Sequence, residues 1–538
     1  MTLLSAAALA LPQLAVSAEN NWEKLARQDA LHPIAPGKVD GSAPFWNAYA
    51  KRFIYVPNFD FTAVEQAKKY CFTVTDSQGK VHEFYADRPD EPLTAVWDAL
   101  PVGFTTVSVT ALNGKNRILA DCGSRRFYRA APFTGKYAPA VRNYRESAVW
   151  ALKYVFEQKH IQNWRKTGQP SRSYDLYCYP NKIISSVISG MLFYARFAPE
   201  NREAALDIAQ KAADYLISIS EKAGAPLEYL PPTYMWKDHS AYDFDGQIMM
   251  IYPASAGRAY MQLYETVKVE KYRDAAARIA DTYCKLQLPN GSWHLKLWQK
   301  DGSPVVPQAK NPDQPPPPPN YCVPTEIAAF LYQMAEATGK EEYKKAADRS
   351  GVYVQKHVVA NFNWEGQFED QKPLPPYMNN TKHTAVRYAL TLLRKPDCSA
   401  EELALCRTLL RYSEDQFVVW DSPMPFYPMR NTHSREWFLP CVLEQYSYYV
   451  PIDASAAALI NFYVAMHKKT GNALDLAKAC ALADAVTRAQ DQATGRYITY
   501  WENNSRKNNA GWINCAIAAA QAMINLTQHI EELEKSAK

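Results

Sequence analysis

The residues best suited to chemistry lie in three aromatic-rich segments. Residues 222–247 hold Tyr234, Trp236, His239, Asp243 and Asp245; residues 358–379 hold Trp364, Glu365, Glu369 and Asp370; residues 418–452 hold Arg430, His433, Arg435 and Glu444. Breaking a glycosidic bond takes two carboxyl groups, one protonated near neutral pH and one ionised. Asp243, Glu369 and Glu365 are the candidates for that pair. Two acids one residue apart on an extended loop face opposite ways. Asp245 can then cap the helix that follows, which leaves Asp243 the freer group. Sugars present an apolar face with a polar edge, which indole and phenol rings match. Tyr234, Trp236, Trp293, Trp364 and Trp501, with Lys296 and His239, are therefore expected to line a sugar site. Arginine reads a planar carboxylate through two parallel hydrogen bonds, so Arg430 and Arg435 beside His433 point to an acidic sugar.

Other readings stay open: a lyase acting on a uronate-containing glycan, and a sugar-binding or epimerase protein. A lyase would neutralise a uronate with Asn or Arg and abstract its C5 proton with Tyr or His. Asn379, Asn380, His383, His239, Tyr242 and His433 could supply those groups. No metal or organic cofactor is implied. No Cys or His spacing suits zinc, and only Asp243, Asp245, Glu369 and Asp370 offer oxygen ligands of the kind calcium takes.

These segments need elements to position them, and the hydrophobic period supplies two kinds. Residues 40–135 carry short β-branched or aromatic runs, such as Tyr70–Thr75 and Thr105–Ala111, separated by turn signals such as Asn113-Gly114. This spacing predicts a small antiparallel β-sandwich. From residue 140 to 535 the period becomes helical. It predicts twelve main helices, at about 142–160, 182–198, 202–221, 248–266, 271–287, 323–338, 341–357, 380–394, 400–417, 453–469, 473–490 and 511–530, with an extra segment near 437–449. Helices starting near 202, 271, 341, 400 and 473 carry one charged face and should meet solvent. Those between them are apolar or small nearly all round and must be enclosed. Asn290-Gly-Ser-Trp293, Asn363-Trp-Glu-Gly366 and Thr494-Gly-Arg-Tyr497 are related loops that follow charged helices. A repeat of about 65 residues per helical pair predicts a mainly α, closed (α/α)6 toroid. The loops that lead into the enclosed helices are long and the opposite ones are short and plain, which places the active face at the long loops.

Composition narrows the class. The 538 residues include 60 basic and 55 acidic side chains, a formal charge of +5 and 47% hydrophobic content. Disorder is excluded, and the absence of a basic stripe argues against nucleic-acid binding. An apolar stretch ending at Val16-Ser17-Ala18 reads as a secretory signal over residues 1–18, and hence as export to the periplasm or beyond. No later run approaches the roughly 18 apolar residues that cross a membrane. Ten cysteines permit disulfides, with Cys71 and Cys122 the one pair that suggests itself.

The arrangement as a whole carries a resemblance. Phe45-Trp-Asn-Ala-Tyr49 opens the β region, and Trp364-Glu-Gly-Gln-Phe-Glu-Asp370, Glu414-Asp-Gln-Phe417, Glu444-Gln-Tyr446 and Pro451-Ile-Asp453 follow in the helical part. In this layout the chain resembles the (α/α)6 carbohydrate-active enzymes and, among them, glycoside hydrolase family 154. The resemblance covers nearly all of the chain beyond the leader. It implies an exo-acting β-glucuronidase or β-galactosidase working on a polysaccharide or oligosaccharide of plant type, and it assigns no catalytic residue. The Arg-Gly-Asn-Gly-Trp signature of unsaturated-uronyl hydrolases has no copy here.

Overall fold

A computed structural model describes residues 21–34, 46–236, 244–306, 318–370, 374–425, 437–446, 448–501 and 511–537. The leader expected over residues 1–18 lies outside them. After a short helix α1 (Trp22–Ala30), the chain lays down β1 (Arg52–Phe53), β2 (Lys69–Thr75), β3 (Val81–Ala86), β4 (Gly103–Leu112) and β5 (Ile118–Arg129). These strands form one five-stranded sheet in the order β1-β5-β4-β2-β3. All its pairings are antiparallel except β1 with β5.

The expected sandwich is thus a single sheet among the described residues, and the strand pattern shows why. Alternate residues of β2 are buried, while every side chain of β3 keeps some exposure. Only one face needs a cover. That cover is made by Phe53, Phe59 and Phe61, by Trp97 of the short α2 (Thr94–Trp97), and by the helical part of the molecule. Cys71 sits on the open face and Cys122 on the buried one, so the two cannot pair; all ten cysteines are free thiols.

Six enclosed helices follow in register with the repeat: α5 (Pro180–Phe197), α7 (Pro253–Val267), α9 (Thr325–Thr338), α11 (Lys382–Leu393), α13 (Asp453–Thr470) and α15 (Ile513–Ser536). Each packs on the next, and α15 packs back on α5, which closes the ring. Outside it stand α3 (Tyr144–Glu157), α6 (Arg202–Ser218), α8 (Glu270–Leu286), α10 (Glu341–Val354), α12 (Ala400–Phe417) and α14 (Ala473–Ala489), each against an inner helix. One further helix, α4 (Lys159–Thr167), extends the first pair, because Gln158 breaks α3 with an extended backbone.

Proline at the first position pre-sets the start of α5 and α7. Gly339 and Gly471 end α9 and α13 in the left-handed conformation, at φ 71° and 68°. These tight ends turn the chain straight from an inner to an outer helix. The segment near 437–449 is not helical: β9 (Cys441–Gln445) pairs with β8 (Val418–Val419) and with β10 (Tyr448–Pro451).

The sheet docks on α12 through buried polar groups. The Arg52 guanidinium donates to the carbonyls of Asp415 and Val418, both at 2.8 Å. One carboxylate oxygen of Asp415 accepts from the backbone N–H groups of Ile54 and Tyr55. Beside it Glu414 accepts from Lys478, Tyr463, Tyr55 and Trp420.

Candidate functional site

Outer and inner helices alternate along the chain, so the inner six run parallel and all their N-termini open at one end of the ring. The long loops must gather there too. At that end the third residue of α5, Lys182, places its ammonium 2.5 Å from Oε1 of Glu369 and 4.4 Å from the centre of the Trp512 ring. Tyr252, which caps α7, donates its hydroxyl to Oε2 of the same carboxylate. The Tyr234 hydroxyl donates to the Glu369 carbonyl at 2.9 Å. Glu369 is 1% exposed. Burial pushes its pKa up, but Lys182 and the Tyr252 hydroxyl outweigh burial and hold it below the usual glutamate value. Lys182 keeps a fifth of its side chain accessible although protein encloses its head. That combination is expected of a group on the floor of an open recess.

Around this pair stand further ionisable groups. Lys296, in β7 (Lys296–Trp298), lies 3.8 Å from the centre of the Phe244 ring, and burial lowers its pKa to about 8 against the pull of Glu369 and Asp370. Asp370 is exposed; local desolvation and the charge of Glu369 raise its pKa. Strand β9 brings in Glu444, which is half-buried. Burial pushes its carboxyl up to about 7, Asp370 and Glu369 add to that, and Lys382 and Lys182 oppose it. His383, at the head of α11, is held well below the usual histidine range by burial and by Lys382, Arg387 and Lys182. Asp453 starts α13 with its carboxyl buried; one oxygen accepts from the Ala454 N–H at 2.7 Å and the other has no partner among the described residues. Burial raises its pKa well above the usual aspartate value. Perturbed groups gathered at one mouth are the physical mark of a functional site.

The structure brings together part of what the sequence singled out. Glu369, Tyr234 and Lys296 meet at the mouth, and Trp236 stands with the Arg172 guanidinium 4.3 Å from its ring centre. Burial pushes Glu365 up to about 7; its carboxyl is bonded by Gln367 and lies near Tyr353, and its backbone pairs with Asn380. Trp293, Trp364 and Trp501 are at most 1% exposed, so the sugar-stacking role expected of them gives way to a core role. Trp293 donates its indole N–H to the Tyr283 carbonyl and packs edge-on against that ring. Trp364 packs against Phe362 and Tyr388. Trp501 is pinned by its backbone N–H to the Pro451 carbonyl. Glu369, considered above among the oxygen ligands, takes Lys182 on one oxygen and Tyr252 on the other. Asp243, His239, Arg430, His433 and Arg435 lie outside the described residues.

Sequence reasoning did not assign Lys182, Tyr252, Lys382, Asp453 or Trp512 to the site. A signal was present for some of them: Lys182, Lys382 and Asp453 are charged residues in the first turn of enclosed helices. A charge there has no outward face to escape to and must turn into the mouth or the core.

No family model matches the chain, and no curated protein does. Among solved structures, cellobiose 2-epimerase from Spirochaeta thermophila DSM 6192 is similar at a TM-score of 0.50 and 10% identity, over 72% of this chain and 98% of that one. A family 76 glycoside hydrolase from a bovine Bacteroides thetaiotaomicron strain gives 0.42 at 10% identity, over 91% and 99%. An unsaturated glucuronyl hydrolase specific for heparin gives 0.43 at 8% identity, over 72% and 97%. Of these three only the epimerase reaches a TM-score of 0.5, and at that identity the likeness is one of fold: the chain shares the ring of paired helices.

Proposed function

We propose that this chain is an exported, exo-acting glycoside hydrolase that removes a terminal β-linked glucuronic acid or galactose from a plant-type polysaccharide or oligosaccharide. The observation that carries the reading is Glu444. Its carboxyl is half-buried at the mouth, accepts no hydrogen bond from the described residues, and is pushed up to about 7 beside two other carboxyls. A glycosidase needs such a group to protonate the leaving oxygen while a second carboxyl works ionised. Glu444 would pass its proton to the glycosidic oxygen as the bond to C1 breaks. Asp370, exposed and near enough for its charge to raise Glu444, is the accessible second carboxyl in this reading, either taking the proton of the attacking water or attacking C1 itself. Asp243 keeps its expected part as an alternative second carboxyl. Each oxygen of Glu369 already takes a proton donor, from Lys182 on one and Tyr252 on the other, so its part in this reading is to fix those two groups against the substrate. The helix N-termini and lysines at the mouth favour an anionic sugar, and the layout's resemblance to family 154 supports the same reading.

Lys296 favours a second reading. With a pKa of about 8, a fraction of this amine is neutral near pH 7 and could abstract the C5 proton of a uronate, which would make the chain a lyase. Purified protein incubated with p-nitrophenyl β-glucuronide and β-galactoside, and in parallel with uronate polysaccharides, separates the two. Release of nitrophenol that falls by about 10²–10⁴-fold in Glu444→Gln supports the hydrolase. A rise in ultraviolet absorbance from an unsaturated uronate, without nitrophenol, would replace it with the lyase.

A further inference from the structure

Lysine is an unexpected residue to open α11. A cation at a helix N-terminus opposes the macrodipole, and an ammonium that loses all contact with water costs several kcal/mol unless fully hydrogen-bonded. Lys382 is 0% exposed. Burial pulls its pKa well below the usual lysine range, against the pull of Glu444, and its Nζ stands within hydrogen-bond distance of three acceptors: the carbonyls of Leu443 and Glu444, each at 2.7 Å, and the Ser455 hydroxyl of α13. The neighbouring residues act on the same strand. The Thr381 hydroxyl donates to the Glu444 carbonyl at 2.8 Å, and the Tyr446 N–H donates to the Asn380 carbonyl at 2.9 Å. The head of α11 therefore stitches β9 in place on both sides of Glu444, while the Glu444 carboxyl itself accepts no hydrogen bond from the described residues and feels Lys382 and Lys182 through their charge.

We infer that Lys382 is a positioning residue, which locks the backbone of Glu444 between α11 and α13 so that its carboxyl is held at a fixed point in the mouth. With Nζ held by these three protein groups and shut off from water, it has no hydrogen left for a substrate. The inference rests on the reading of Glu444 as the proton donor. Misplacing a reacting group by about 1 Å costs on the order of 10²-fold in rate.

A double-mutant cycle on the glycoside that wild-type protein cleaves tests it, with kcat and KM measured separately and folding checked by thermal melting. Lys382→Met is expected to lower kcat by about 10²-fold and to leave KM within about threefold. In the Glu444→Gln background the same change should cost almost nothing further, because the residue acts through that carboxyl. Ser455→Ala removes one of the three bonds and serves as the milder probe should Lys382→Met fail to fold; it too should lower kcat alone, and only when Glu444 is present. Equal losses with and without Glu444, or a loss confined to KM, would overturn the inference. Should Glu444→Gln by itself leave kcat unchanged, it is the functional reading that falls, which keeps the two failures distinct.

Discussion

At the scale of single residues, the mouth sorts its acids by what touches them. Glu369 is ionised because Lys182 and Tyr252 outweigh its burial, and Glu444 keeps its proton in part near neutral pH because burial outweighs the opposing charges of Lys382 and Lys182. Glu444→Gln should therefore lower kcat by about 10²–10⁴-fold. The pH dependence follows with a definite sign. A proton donor must be protonated, so kcat should fall as the pH rises through about 7, the value to which Glu444 is pushed; Glu444→Gln should remove that limb. Glu369→Gln should act on stability, since it strands the Lys182 ammonium, at a cost of about 3 kcal/mol readable by urea unfolding. The folded pKa of Glu369 is depressed, so its contribution is present above the ordinary glutamate pKa and is lost as the pH falls through the depressed one. The candidates named from sequence were uneven at this scale for a physical reason. An acid beside aromatic residues signals a mouth, but a tryptophan in the same segment is equally good core material, and Trp293, Trp364 and Trp501 went to the core.

At the scale of elements, the helices were legible because enclosure leaves a mark in composition: every predicted inner helix is found, with ends shifted by a few residues. The strands of 40–135 were legible individually, but their layering was not. Alternation says that one face is buried and does not say against what; here the cover is aromatic loop and helix, and α12 meets the sheet at its edge strand β1. That dock depends on Asp415, whose carboxyl burial pushes up to about 7. Its folded pKa lies above its unfolded one, so the stability it contributes is full below about pH 4 and is lost progressively as the pH rises to about 7. Asp415→Asn keeps an acceptor for Ile54 and Tyr55 without the charge. Thermal melting from pH 4 to 8 should show a flatter decline in the variant than in wild type; parallel curves would contradict the assignment.

At the scale of the whole molecule, closure of the ring is what brings six N-termini and their loops to one mouth. The seam lies between α5 and α15, where Gly190 admits Ile517: a Cβ on Gly190 would stand 2.5 Å from the Ile517 Cδ1 atom. Gly190→Val should destabilise the fold by about 1–3 kcal/mol through overpacking, seen as a lower denaturation midpoint with an unchanged slope. Closure itself was legible in the sequence from the alternation of charged and apolar helices. The meeting of Lys182 with Glu369 was not, because it joins residues 187 apart in the chain that share no local pattern.

The most direct test of the central claim is the rate of nitrophenol release from p-nitrophenyl β-glucuronide and β-galactoside by wild-type protein and by Glu444→Gln across pH 4 to 9. Turnover of one of these glycosides with a descending limb near pH 7, abolished by the substitution, is the predicted result. Turnover that Glu444→Gln leaves intact, or an unsaturated uronate formed with no nitrophenol, would contradict it.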